Sequence, residues 1–227
     1  VIDAVASVVE TVEGCRLLDV DPGKSTNRTV ITFVGPPETI GEAAFRVIKK
    51  ASELIDMSKH SGEHPRMGAT DVCPFVPVAG VTMEDCVEVA RALGERVGKE
   101  LEIPGYFYES AATRPERKNL AVCRKGEYEG LGKLATEDGA PDFGPKEFNS
   151  KAQHTGATAI GARDFLIAYN INLNSTSSRR ANAIAFDIRE AGRIKREGGK
   201  ISGKVIKDEN GEPVRQPGTL QSVKGIG

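Results

Sequence analysis

Two long amphipathic stripes, each followed by a short apolar run, limit what this chain can fold into. In the first, Ile40, Ala43, Ala44, Val47, Ala51, Leu54 and Ile55 recur at helical spacing after Pro36 and Pro37. In the second, Met83, Cys86, Val87, Ala90, Leu93, Val97 and Leu101 do the same, and Thr82 with Asp85 resembles a capping box at its start. A shorter stripe, Ile2, Val5, Val9 and Val12, precedes Gly14 as a stop. Runs of strand character lie between and after them: CRLLDV as a buried strand, TVITFVG, DVCPFVPV and GYFYES. The order is helix, strand, strand, helix, strand, helix, strand. That order predicts an α/β fold with a mixed sheet, since strands with no helix between them favour antiparallel pairing.

Further on the pattern loosens. Residues 111–138 are polar with weak helical character, and 139–156 are rich in Gly and Pro without periodicity, which predicts a long loop of functional kind. ARDFLIAYNINLN reads as a clear strand, with Phe165, Ile167, Tyr169, Ile171 and Leu173 alternating against Asn170 and Asn172. Ser175 or Thr176 caps a following helix with Ala181, Ile184, Ala185 and Ile188 on its buried face. The basic stretch 193–207 and the DENGEP turn read as a hairpin, and TLQSVKGIG begins another strand. With no initiator Met and a strand-like end, the chain reads as a fragment of a longer protein.

Charge and cysteine content exclude several classes. A formal net charge of −1 gives no overall attraction to nucleic acid or to an acidic membrane. No apolar run is long enough to span a bilayer and no signal peptide is visible, so the expected location is cytoplasmic. Cys15, Cys73, Cys86 and Cys123 are scattered without a CxxC pair, which argues against a structural zinc site and a disulfide framework.

Chemistry concentrates between Asp56 and Val78. This stretch carries two of the three histidines, His60 and His64, with Glu63, Arg66 and Asp71, in a backbone shaped by Gly62, Pro65 and Gly68. His60 to His64 spells H-x-x-E-H, an inverted zinc-protease pattern, but Gly62 and Pro65 oppose the helix that chemistry needs. A general acid–base role suits His64 better, because an imidazole can take and return a proton near neutral pH. Glu63 or Asp21 can orient one ring nitrogen while the other faces a substrate. Arg28 and Arg66 suit carboxylates as bidentate partners, and the two strand amides Asn170 and Asn172 need polar partners of their own. From the residues alone, the expectation is an enzyme or binding protein for a small, polar, anionic molecule.

LLDVD, STNRTV with TFVGPPE, LIDMS, GEHPRMGA, DVCPF, GEYE, APDFGP, TGARDFLIAYNINL and IAFDIRE occur in that order along nearly the whole chain. Together they resemble the formiminotransferase domain of the glutamate formiminotransferases, folate enzymes often fused to a cyclodeaminase. The resemblance implies two α/β subdomains with mixed sheets facing each other across a substrate tunnel. Here they would be the N-terminal subdomain at 1–160, lacking its first strand, and the start of the C-terminal subdomain at 161–227. It implies transfer of a formimino group from N-formimino-L-glutamate to N5 of tetrahydrofolate, in histidine degradation and one-carbon metabolism. Formyl transfer, or folate binding without turnover, stands as the alternative. Tetrahydrofolate, polyglutamylated or not, would be a co-substrate, with no metal. The implied partners are a second copy in a homodimer and a fused or separate cyclodeaminase, with no nucleic acid and no membrane. The catalytic histidine falls on His64 and its supporting aspartate on Asp21. Folate contacts fall on Gly144, Pro145, Lys146, Glu147, Phe148 and Gly156; the donor would meet Asn27, Arg28, Glu63, Arg66, Asn170 and Asn172. Two departures stand out: Pro22-Gly23-Lys24 replaces Ala-Gly-Pro, and FNSKAQHTG replaces the family's shorter Phe-Val-Pro-Ser-Trp-Gly.

Overall fold

A computed structural model describes residues 1–167, 171–200 and 202–221. The chain divides into two compact units, Val1–Leu166 and Ile167–Gly227.

The first unit opens with helix α1 (Ile2–Ala6), continued by a 3-10 turn over Ser7–Thr11, and Val5, Val9 and Val12 are buried as their spacing predicts. Strands β1 (Arg16–Gly23) and β2 (Arg28–Val34) then form an antiparallel hairpin. The expected buried strand CRLLDV is instead half-exposed. A bulge between Leu17 and Asp19 breaks its alternation, and Leu18 points to solvent at 58% exposure. Only one face of the hairpin is covered, by Leu17, Ile31 and Phe33 packing toward helix α2 (Pro37–Leu54). Pairing runs on to Pro22↔Thr29 and Gly23↔Arg28, so the loop expected at DPGKSTNRT shrinks to a turn over residues 24–27.

Strand β3 (Val72–Phe75), helix α3 (Met83–Arg96), strand β4 (Gly105–Glu109), the short helices α4 (Leu120–Cys123) and α5 (Ser150–Thr155), and strand β5 (Thr158–Ala162) complete the unit. The Thr82–Asp85 capping box forms with both reciprocal bonds. β5 lies between β3 and β4, parallel to both. Parallel and antiparallel pairings therefore both occur, in separate ladders, within an α/β unit. One sheet face packs Ile160 and Phe107 against Ile48 of α2 and Ala90 and Leu93 of α3. The other packs Tyr106, Tyr108 and Ala159 against Cys123, Leu131 and Leu134, carried by α4 and a 3-10 segment at Tyr128–Ala135. With both faces covered, β5 is buried at all five positions.

In the second unit, helix α6 (Ser178–Ile188) is capped by Ser177, and strands β6 (Arg193–Ile194) and β7 (Arg215–Gln216) pair antiparallel. The hairpin closes through the expected DENGEP turn, where Gly211 and Glu212 donate to Asp208. Beyond Ala162, which ends β5, the strand expected across ARDFLIAYNINLN does not form at its described positions. Phe165, Leu166, Ile167 and Ile171 are all more than 60% exposed, and no described strand pairs with them. Alternation records a face that would fit a sheet, but a strand requires a ladder partner. Asn172 accordingly lies in exposed coil rather than on a strand face, and Asn170 lies outside the described residues. Helix α6 also buries less than its pattern predicts: Ala185 is buried, while Ile184 is 47% exposed. Among the described residues no helix is long and apolar enough to cross a membrane.

Candidate active site

The stretch from His60 to Thr70 is a loop pinned at both ends by backbone contact. At its far end, Gly68 bridges Gly156, and Ala157 N donates to Met67 O at 2.9 Å. Gly156 has a φ of +69°, and a Cβ there would sit 2.2 Å from Met67 O, so only glycine fits. At the near end, Gly62 lies so close to the β1–β2 turn that a Cβ would sit 2.5 Å from Thr26 O. Asn27, itself at a φ of +46°, donates from Nδ2 to Ser61 O at 2.8 Å and to His60 Nδ1 at 3.2 Å. Glycines and a left-handed asparagine thus bring the hairpin tip onto the histidine loop.

This contact places Arg28 beside His64. Arg28 Nη1 lies 2.6 Å from His64 Nε2, and His64 Nδ1 lies 2.7 Å from Pro65 O. A guanidinium only donates and a carbonyl only accepts, so Nε2 is the acceptor and Nδ1 carries the hydrogen. The ring is therefore held as the neutral Nδ1–H tautomer, with its lone pair facing Arg28. His60 and His64 are not on a helix, and their rings serve different partners, so the geometry of an inverted zinc-protease motif is not formed.

Arg66 closes the loop from below. Its guanidinium takes both Glu129 oxygens, at 2.7 and 2.9 Å, together with Glu127 Oε2 at 3.2 Å and His60 O at 3.1 Å. The bond to Glu129 is the main cause that raises the Arg66 pKa, and the same bond lowers that of Glu129. Glu127 holds a φ of +53°, a strained backbone for a residue with a side chain, placed where its carboxylate meets Arg66. Asp71 fixes the strand side of the loop by accepting from Met67 N at 3.0 Å and pairing with Arg124.

Tyr128 joins this network to the segment after Gly144. Its N–H donates to Arg66 O at 2.9 Å, its hydroxyl to Gln153 O at 2.6 Å, and its ring meets Phe148 edge-on at 5.9 Å. Asn149 caps helix α5 over FNSKAQHTG, where the sequence reads as structureless loop. His154 Nδ1 lies 3.7 Å from Asp56 Oδ1. Bonds from Ser58 and then Lys59 hold the Asp56 carboxyl down at about 2.

Loop, hairpin tip, glutamate pair and α5 segment are thus joined in one network of contacts, through Asn27, Arg28, Arg66 and Tyr128, that includes the loop carrying His64. The family profile for the formiminotransferase domain, N-terminal subdomain, matches residues 1–163, and that for the formiminotransferase domain matches 168–227. The chain belongs to the formiminotransferase family. It is 51% identical to the formimidoyltransferase-cyclodeaminase of Mus musculus, over all of this chain and 38% of that protein. Against the glutamate formimidoyltransferase of Streptococcus pyogenes serotype M1 it is 50% identical, over 85% of this chain and 64% of that protein. The enzyme of that name from Thermoplasma acidophilum is also 50% identical, over 82% of this chain and 60% of its own length. The chain thus spans less than two thirds of these curated relatives.

Within this formiminotransferase unit, the expected site residues divide. Asn27, Arg28, His64 and Arg66 are brought together. Asp21 makes no hydrogen bond or ion pair with His64, but it pairs with Val30 while Gly23 pairs with Arg28, so Asp21 and Arg28 leave the same hairpin face. Glu63, Lys146 and Glu147 are exposed. Gly144, at a φ of +77°, lies half-buried with Pro145 at the start of the segment that Phe148 and Gly156 anchor. Three groups that composition alone does not single out complete the site: Pro65 O on the imidazole, and Glu127 and Glu129 on Arg66. The signal for the last two was an arginine in a shaped loop, which needs a carboxylate when half-buried.

Proposed function

We propose that the protein is a glutamate formimidoyltransferase, moving the formimino group of N-formimino-L-glutamate to N5 of tetrahydrofolate. The observation that carries this reading is the imidazole of His64, fixed as the Nδ1–H tautomer by Pro65 O with Nε2 left as its proton-accepting nitrogen, within the stretch that matches the N-terminal formiminotransferase subdomain. N5 attacks the formimino carbon, and a new C–N bond gives a tetrahedral intermediate. Nε2 takes the N5 proton and returns it to the glutamate nitrogen. The bond from carbon to that nitrogen then breaks, releasing L-glutamate and 5-formiminotetrahydrofolate with His64 neutral again. Asp21, on the hairpin face of Arg28, stabilises the imidazolium formed midway.

The segment from Gly144 to Gly156, with Pro145, Lys146, Glu147 and Phe148, is assigned to folate. Asn27, Arg28, Glu63, Arg66, Asn170 and Asn172 are assigned to the donor. Of these, Arg66 already carries two carboxylates, so a substrate carboxylate reaching it must displace Glu129. Residues 1–160 and 161–227 are read as the N-terminal subdomain and the start of the C-terminal one, in a cytoplasmic homodimer, with no metal used.

The test compares wild type with His64→Ala in the full-length protein, following 5-formiminotetrahydrofolate formation and, by calorimetry, tetrahydrofolate binding. Transfer is expected to vanish in the variant while binding persists. Full transfer in His64→Ala, or none in wild type, overturns the proposal.

A further inference from the structure

The bond from Arg28 to His64 is at odds with the work assigned to that ring. A base needs a free lone pair, and the Nε2 lone pair is occupied by a guanidinium at 2.6 Å. The other arginines of the site have anions: Arg66 holds Glu127 and Glu129, and Arg124 holds Asp71. Arg28 has no carboxylate within ion-pair distance among the described residues, is exposed, and makes its only side-chain hydrogen bond to the imidazole. It also extends from the turn that Asn27 anchors, so its backbone is fixed while its side chain can turn.

We propose that Arg28 is a substrate-operated latch on His64: a carboxylate of the glutamate moiety draws the guanidinium off Nε2 and frees the lone pair for proton transfer. This rests on the transferase reading above. A bidentate, charge-assisted pair with a carboxylate is stronger than a single bond to a neutral imidazole, so an arriving carboxylate wins Arg28. The base is then uncovered when a reactant is in place, and the same contact orients that reactant. Both reactants carry glutamate carboxylates, but only one brings them near the chemistry. In the donor, the α-carboxylate is on the carbon that bears the departing nitrogen. In folate, the p-aminobenzoyl group separates N5 from the glutamate tail. The latch is therefore operated by the donor.

The experiment labels the full-length protein with 15N-histidine and observes ring nitrogens by long-range 1H–15N correlation. The His64 ring signals are identified as those lost in His64→Gln and retained in His60→Gln and His154→Gln. In the free protein, His64 is expected as the Nδ1–H tautomer with a hydrogen-bonded Nε2. L-glutamate should move the Nε2 resonance to that of an unbonded imine nitrogen, and p-aminobenzoyl-L-glutamate should not. In Arg28→Gln the resonance should start at the unbonded position and ignore glutamate, while the donor KM rises about ten- to a hundredfold, as loss of a charged hydrogen bond implies, and that for tetrahydrofolate holds. An unmoved Nε2 resonance with glutamate added, or an unchanged donor KM in Arg28→Gln, overturns the latch. A response to p-aminobenzoyl-L-glutamate alone overturns its assignment to the donor. Wild-type turnover with an unmoved resonance removes the latch and leaves the transferase; a moved resonance without turnover removes the transferase reading.

Discussion

Asp142→Ala should cost the first unit much of its stability, because it leaves a buried guanidinium without its anion. The Arg117 and Asp142 side chains are only 4% and 7% exposed, with Nη1 2.7 Å from Oδ1. That approach is too oblique for a hydrogen bond, so the contact is an ion pair by distance, while Arg117 Nη2 donates to Ala140 O at 2.6 Å. Asp142 also accepts from Phe107 N at 2.8 Å and from the Thr113 hydroxyl. Removing one member of a buried pair costs about 3–5 kcal/mol, a large share of the roughly 5–15 kcal/mol that holds a domain folded. For a unit of this size that is a fall in Tm of about 6–20 °C. Urea unfolding followed by circular dichroism, with a thermal melt, measures both. Arg117→Met with Asp142→Leu should recover most of the loss, since an apolar pair leaves no charge stranded. A loss below about 1 kcal/mol in Asp142→Ala, or a double variant as unstable as the singles combined, refutes the reasoning. Asp142 directly precedes Phe143 and Gly144, so the same variant should weaken tetrahydrofolate binding even where the protein remains folded.

Gly156→Ala should destabilise by several kcal/mol or prevent folding, because the new Cβ meets Met67 O in a left-handed backbone; a melt within 2 °C of wild type would refute this. Thr82→Ala should cost about 1 kcal/mol by removing the cap of α3, read as a shift in urea midpoint at constant slope. Cys123 is buried and its thiol is pushed up to about 11, so at pH 8 it should resist iodoacetamide until the protein unfolds, as mass spectrometry can check. Asp56 is held down at about 2, so its contribution is present above the usual aspartate range and lost as pH falls through 2; a carboxyl NMR titration should give a midpoint near 2, and one near 4 would refute the Ser58 and Lys59 contacts.

The helices of the first unit were legible because a stripe such as Ile40 to Ile55 records its own burial, and Thr82 with Asp85 records its own cap. β5 was not: TAIGA has no alternation and three small residues, because both sheet faces cover it and Tyr108 crosses Gly161. β1 misled in the opposite sense, since Leu17 and Leu18 look like a buried pair until the bulge turns one outward. The strand pattern around Asn170 and Asn172 was strong, yet periodicity cannot supply a neighbour to pair with. His64, Arg28 and Arg66 were each visible as chemistry. Their grouping was not, because it depends on a hairpin turn meeting a loop more than thirty residues later.

The order of the parallel ladder bears on how the protein is made. β3 and β4 emerge from the ribosome well before β5, the strand that must slide between them. At ordinary synthesis rates β3 waits roughly 4–17 s for its mate, exposing an unmatched apolar edge meanwhile. A nascent chain stalled anywhere in that interval should be a preferred client of chaperones, and the first unit should lock shut only once Ala162 has been translated.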